Sequence, residues 1–222
     1  MSLKNIVFVT FSLLLIQSTF GQKNYDQYNR IGVTGGYTIF DINTSDFQTK
    51  EGSGFIAGFT TRGAFRNNFD LIYGLSFYSS SLGILGKGAN ITTGFTEEYV
   101  DFTIQGVQLN FLGSYNIVKH HLSLDFGPVV NINGKMKLDN DRYQFYVVDE
   151  ENGFTAEEIQ DISKFNFNVV GGLTAGLESF RISAHYQYGI TNTFNKLNDQ
   201  NLKNSDFEGH TSTIIIAAVV YF

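Results

Sequence analysis

The chain has no cysteine and a single proline among its 222 residues. Without cysteine there is no disulfide, no thiolate nucleophile and no cysteine-ligated metal. Basic residues are scarce as well: 15 Lys and Arg stand against 21 Asp and Glu, for a formal net charge of −6. That balance lacks the basic stripe that nucleic-acid binding requires. After residue 21, nothing approaches the ~20 consecutive apolar residues that a membrane-spanning helix needs, although a tilted spanning strand needs only ~9–11. What the chain has in quantity is 23 Gly, 22 Phe and 12 Tyr, a composition suited to β structure with aromatic surfaces.

The N-terminus carries Lys4, an apolar run over 6–16 and then Gln17-Ser18-Thr19-Phe20-Gly21-Gln22. A basic start, a short apolar core and small residues at the cut predict a cleaved secretory signal peptide over 1–21, leaving one domain over 22–222. The apolar run is short for a membrane anchor, and no basic stop follows it.

Period-two alternation bounded by turn residues predicts eight strands: 30–41, 54–66, 69–80, 99–116, 122–134, 165–177, 180–191 and 210–222. In the fourth, the apolar positions change parity. Val100, Phe102 and Ile104 share one face, whereas Val107, Leu109, Phe111 and Tyr115 share the other, which predicts a β-bulge at Gly106. Pro128 falls inside the fifth strand, where it removes one ladder bond. The links alternate. Long polar stretches over 42–53, 81–98, 135–164 and 192–209 are interleaved with tight turns at 67–68, 117–121 and 178–179. Within 135–164, the segment Thr155-Ala156-Glu157-Glu158 opens like a capping box and predicts a short helix over 155–162.

The final stretch, Ile-Ile-Ile-Ala-Ala-Val-Val-Tyr-Phe over 214–222, ends on an aromatic, with Ile214, Ile216, Ala218, Val220 and Phe222 on one face. An even number of strands, short turns on one side, long loops on the other and both termini together make an up-and-down closed barrel. With the Gln22 start after a small residue, the 106–133 segment holding Gly127-Pro128, and the closing Val219-Val220-Tyr221-Phe222, the chain resembles the small bacterial outer-membrane β-barrel family that includes PorT-like and OmpA-like barrel proteins. The resemblance implies an eight-stranded antiparallel transmembrane β-barrel in the bacterial outer membrane. It also implies outer-membrane lipid as the surroundings and the barrel-assembly machinery as a partner during biogenesis. That machinery would read Ile216, Ala218, Val220 and Phe222.

Soluble lipocalin-like binding barrels alternate too, so bulk decides between the two. The apolar faces carry more Phe, Tyr, Leu and Ile than an eight-stranded interior holds, while lipid accommodates them. The polar faces then line the lumen, and Arg62, Asp125, Glu178 and His185 are expected to form an internal polar network of structural pairs. No catalytic, cofactor or metal residue is assigned. His120-His121 lies in a turn without a third ligand, 83–88 lacks the full phosphate-loop spacing, and Asp139-Asn140-Asp141 lacks the glycine and distal Glu of a calcium loop. His210 with Asp206 and Glu208 at the last long link is the one cluster compatible with a rim enzyme, and no serine is tied to it. The resemblance implies a non-enzymatic envelope or surface protein in adhesion, envelope integrity or export, and loops on a rigid scaffold make the external loops its expected working parts, on a partner the sequence does not name. A narrow porin-like channel or small-solute binder is the alternative.

Overall fold

The computed structural model describes residues 28–90, 94–149, 153–199 and 206–222. The expected signal peptide over 1–21 lies outside the described residues. Strands β1 (Asn29–Asn43), β2 (Thr49–Arg66), β3 (Phe69–Asn90), β4 (Gly94–Val118) and β5 (Leu122–Leu138) follow one another as hairpins. Two short strands, β6 (Val147–Asp149) and β7 (Phe154–Thr155), precede β8 (Phe165–Gly176), β9 (Phe180–Gly189) and β10 (His210–Tyr221). Every neighbouring pair is antiparallel, and β1 pairs with both β2 and β10. Eight strands therefore close a ring with no free edge, which is how a sheet satisfies its backbone in lipid.

The tight ends belong to the side of the termini. Asn67 turns β2 into β3 with φ of 40°, a conformation that Asn tolerates better than most residues. Above these ends the outward faces form an apolar belt, with Phe69 on Tyr115 and Tyr73 on Phe111 as cross-strand ring pairs at 5.2 and 4.8 Å.

The parity change in the fourth strand has a different cause from the expected bulge at Gly106. β4 pairs with β3 without interruption through Tyr78 and Gly106. Val100, Phe102 and Ile104 point inward with Gln108, Leu112, Ser114 and Asn116, and all are buried. What changes is the surroundings: in the belt, large apolar side chains face outward over an interior of polar groups and a few apolar ones; beyond it, packed loops fill the interior. The bulge belongs to β5, where Gly134 and Lys135 together face the one residue Gln105. The glycine at 106 serves a close approach instead, since a Cβ there would lie 2.6 Å from the Tyr78 hydroxyl.

Strands β3 and β4 also fill most of the expected 81–98 link, because Leu82 and Ile84 continue the inward face while Ser81, Lys87, Glu97, Tyr99 and Asp101 hold outward positions. Pro128 stays within β5 and pairs with Val169 of β8, while the β4–β5 ladder breaks off between Asn110 and Gly113. The expected helix over 155–162 is reduced to a 3-10 turn at Glu158–Gln160. The capping contact is nonetheless made, with the backbone N–H and hydroxyl of Thr155 both donating to Glu158 Oε2 at 2.9 Å.

The long links fold inward over the barrel mouth. Phe47 from the β1–β2 link, Phe154, Ala156, Ile159 and Ile162 from the β5–β8 link, and Phe194, Leu197 and Phe207 from the β9–β10 link are all buried. They pack on Phe40, Ile42, Leu82, Ile84, Val100, Phe102 and Met136 of the strands. Phe47 stacks on Phe207 at 5.4 Å and meets Phe194 edge-on at 5.2 Å. Each buried Phe, Ile or Leu among them contributes about 1.5–3 kcal/mol on full burial, so the cap is a core of its own.

Candidate functional site

The interior has three levels. At the level of the short turns, Arg62 of β2 and Asp70 of β3 face each other across the hairpin, with Nε 2.8 Å from Oδ2. Arg62 Nη2 donates to Ser114 Oγ at 2.7 Å, Ser123 Oγ at 3.1 Å and Asn116 Oδ1 at 3.3 Å. Asn116 Nδ2 and the Tyr28 hydroxyl also donate to Asp70, at 3.0 and 2.5 Å. Asp125 of β5 is held by the hydroxyls of Ser114, Ser123 and Thr174, and lies 3.2 Å from His185 Nε2. Ser114 and Ser123 thus join the Arg62 and Asp125 clusters. Paired and hydrogen-bonded in this way, the two carboxylates meet the condition for burying charge.

Glu178, expected in the same network, lies elsewhere. β8 ends at Gly176, so Glu178 falls in the exposed β8–β9 turn, where alternation no longer assigns a face. It pairs there with Arg30 at 2.5 Å, and the Arg30 hydrogen bond and charge hold its carboxyl below the usual carboxylate range. Asp70, Ser123 and Arg181 join the interior without being among the expected site residues. Their inward parity with Arg62 and Asp125 was the available signal.

The middle level is mixed. Ile72, Leu112, Val129 and Val170 form a small apolar girdle. A cavity of about 80 Å³ spans this level, with Arg62, Asp125, His185 and Tyr221 at one end and Gln108 and Gln187 towards the other. Above it, Asn133 accepts from the Tyr78 hydroxyl and donates to Asn166 Oδ1 at 2.6 Å. The cap closes the third level.

The remaining candidates stay separate from this interior. His210 Nε2 meets Glu208 Oε1 at 3.0 Å, and its Nδ1 meets the Gly189 carbonyl at 2.9 Å, at the rim. Residues 83–88 are extended strand rather than a loop before a helix. Among the described residues, no three His, Cys, Asp or Glu side chains are grouped as metal ligands. On β10, Ile214, Ile216 and Val220 face outward and exposed, with Ala218 half-buried on the same side, and Phe222 is exposed just past the strand's end.

A family model described as outer membrane protein beta-barrel domain matches residues 19–195. The chain belongs to that family. It is an integral outer-membrane protein, and its apolar belt faces outer-membrane lipid. Residues beyond the match supply β10, which completes the ring. Among solved structures, the chain is similar to the Neisserial surface protein A, with 11% identity, 86% of this chain and 97% of the other covered, and a TM-score of 0.48. It is also similar to the attachment invasion locus protein Ail of Yersinia pestis, at 17% identity, 87% and 99% coverage, and a TM-score of 0.44. OprG of Pseudomonas aeruginosa is similar at 11% identity, 88% and 97% coverage, and a TM-score of 0.46. No curated protein matches the chain in sequence.

Proposed function

We propose that this outer-membrane barrel is a non-enzymatic envelope or surface protein whose working part is the loop cap outside the lipid belt. The supporting observation is that cap: a second apolar core, built from three links on the protruding strands, that holds a surface of defined shape. Loops on a rigid scaffold are where binding resides. Phe95 beside the β3–β4 tip is 87% exposed and Phe145 in the β5–β6 link is 71% exposed. Tyr143 donates to Glu98 Oε2 at 2.9 Å and so ties that link to β4. Aromatic side chains presented on an anchored loop suit contact with another surface at low entropic cost. On this reading residues 1–21 are the cleaved signal, and Ile216, Ala218, Val220 and Phe222 present the outward strand face that the assembly machinery reads.

The test is surface display of the wild type and a Phe95→Ser/Phe145→Ser double variant in an outer membrane lacking the protein. Adhesion to apolar and cell surfaces should fall in the double variant while heat-modifiable gel mobility stays unchanged. Equal adhesion by both would remove the cap reading. The channel alternative is tested in planar bilayers, where wild-type barrel should give no discrete conductance steps, because the cap closes the outer mouth. Regular steps would move the function into the lumen.

A further inference from the structure

Arg181 of β9 and Arg62 of β2 both point into the lumen near the short-turn end, and each is only 2% exposed. Arg62 is well supplied through Nε and Nη2, but its Nη1 is enclosed without a partner. Arg181 has less. Among the described residues its guanidinium makes no hydrogen bond and no ion pair, and its Nη1 is likewise enclosed. The lumenal carboxylates are already committed: Asp70 to Arg62, Asn116 and Tyr28, and Asp125 to three hydroxyls and His185. Tyr221, two residues along β10 from the register partner of Arg181, adds a buried phenol on the same inward face. The three side chains lie within electrostatic reach of one another, and Arg62 and Tyr221 border the 80 Å³ cavity.

Two enclosed guanidinium Nη1 groups without a partner lie on the inner wall here, beside a phenol that can donate as well as accept, and the nearby carboxylates are already engaged. A buried cation without a hydrogen-bonding counterpart is costly, and guanidinium donors match compact oxyanions and halides. We propose that the short-turn end of the lumen is a binding site for a small inorganic anion of the phosphate or chloride class, held by Arg62, Arg181 and Tyr221. The closed ring of strands excludes a lipid headgroup with its chains, and the cap closes the far end. The anion therefore enters from the periplasmic side and does not pass through.

The test uses the full mature chain folded in detergent. Its unfolding temperature is followed by β-sheet circular dichroism while sodium phosphate or chloride replaces a bulky organic anion at constant ionic strength. Wild type should show a saturable rise with at least one of the two, and Arg181→Met should weaken the apparent affinity about tenfold or more while remaining heat-modifiable. A featureless wild-type response, or the same saturable rise in Arg181→Met, overturns the proposal. Should Arg181→Met fail to fold, chloride-35 NMR line broadening by wild type and Tyr221→Phe decides. Excess broadening that phosphate displaces and that the variant reduces supports the site, and broadening at the detergent-only level removes it.

Discussion

Arg62 Nε stands 2.8 Å from Asp70 Oδ2 across the β2–β3 hairpin, and both side chains are sealed inside the barrel. Asp70→Asn leaves the guanidinium with amide and hydroxyl partners and without its directly bonded counter-charge, Asp125 remaining only beyond the shared serines. Breaking one side of a buried pair costs about 3–5 kcal/mol. Urea unfolding in detergent should show a lowered midpoint for Asp70→Asn. A joint Arg62→Met/Asp70→Leu replacement should recover most of the loss, and a single variant as stable as wild type would show that the pair contributes nothing.

The cap should fail separately from the barrel. Phe207 stacks on Phe47 and meets Phe154 edge-on at 5.2 Å, at the junction of three links. Phe207→Ala removes about 3–5 kcal/mol from that local core. The expected result is rapid protease cleavage within 135–164 and 192–209, while the boiled and unboiled gel mobilities still differ as in wild type. Loss of both together would mean that cap and barrel are one cooperative unit.

Lipid-facing and water-facing halves of one strand should respond differently to the same charge. Leu109 sits mid-belt on β4, paired with Leu75 and Val130, whereas Asp101 points outward above the belt. Leu109→Arg should destabilise folding into bilayers by about 2–4 kcal/mol, and Asp101→Arg by no more than about 1 kcal/mol. Equal costs would displace the membrane boundary from where the parity of β4 puts it.

Two groups at the short-turn end give opposite pH signatures. Burial, reinforced by its hydrogen bond to Asp70, pushes the Tyr28 phenol up to about 12. A raised phenol pKa favours the folded state below the unfolded value of about 10, and that contribution is lost as pH rises from there towards about 12. Tyr28→Phe should therefore flatten the alkaline decline in stability. The Glu178 carboxyl, lowered by Arg30, acts in the other direction: its contribution is present above the unfolded carboxylate pKa and fades as pH falls through the folded one. Because that pair is exposed, Glu178→Gln should change the acid limb only slightly.

Strand number and hairpin order were legible because lipid imposes a uniform demand: large apolar side chains at every second position, with Asn or Gly at the turns. Arg62 and Asp125 were legible for the same reason, as polar residues on the opposite parity. Where the demand changes, the pattern misleads. Leu82 and Ile84 point inward like Ser76, so the apolar pair at 82 and 84 is strand continuing beneath the packed cap rather than a loop. Glu178 shows the other failure, since two residues past the last ladder pair the alternation carries no facing information. The cap contacts, such as Phe47 with Phe207, join links far apart in sequence, and nothing local announces them.

The length of the β3–β4 hairpin sets where this protein meets the outside world. β3 runs 22 residues without a break, matched residue for residue by β4. At ~3.3 Å per residue and a tilt of about 40°, such a strand rises ~55 Å along the barrel axis, against a lipid belt of about 25 Å. Roughly 30 Å of paired, self-supporting ribbon therefore stands clear of the bilayer. The hairpin works as a mast. It lifts Phe95 above the headgroups, so an approaching cell or particle touches that ring before it touches lipid.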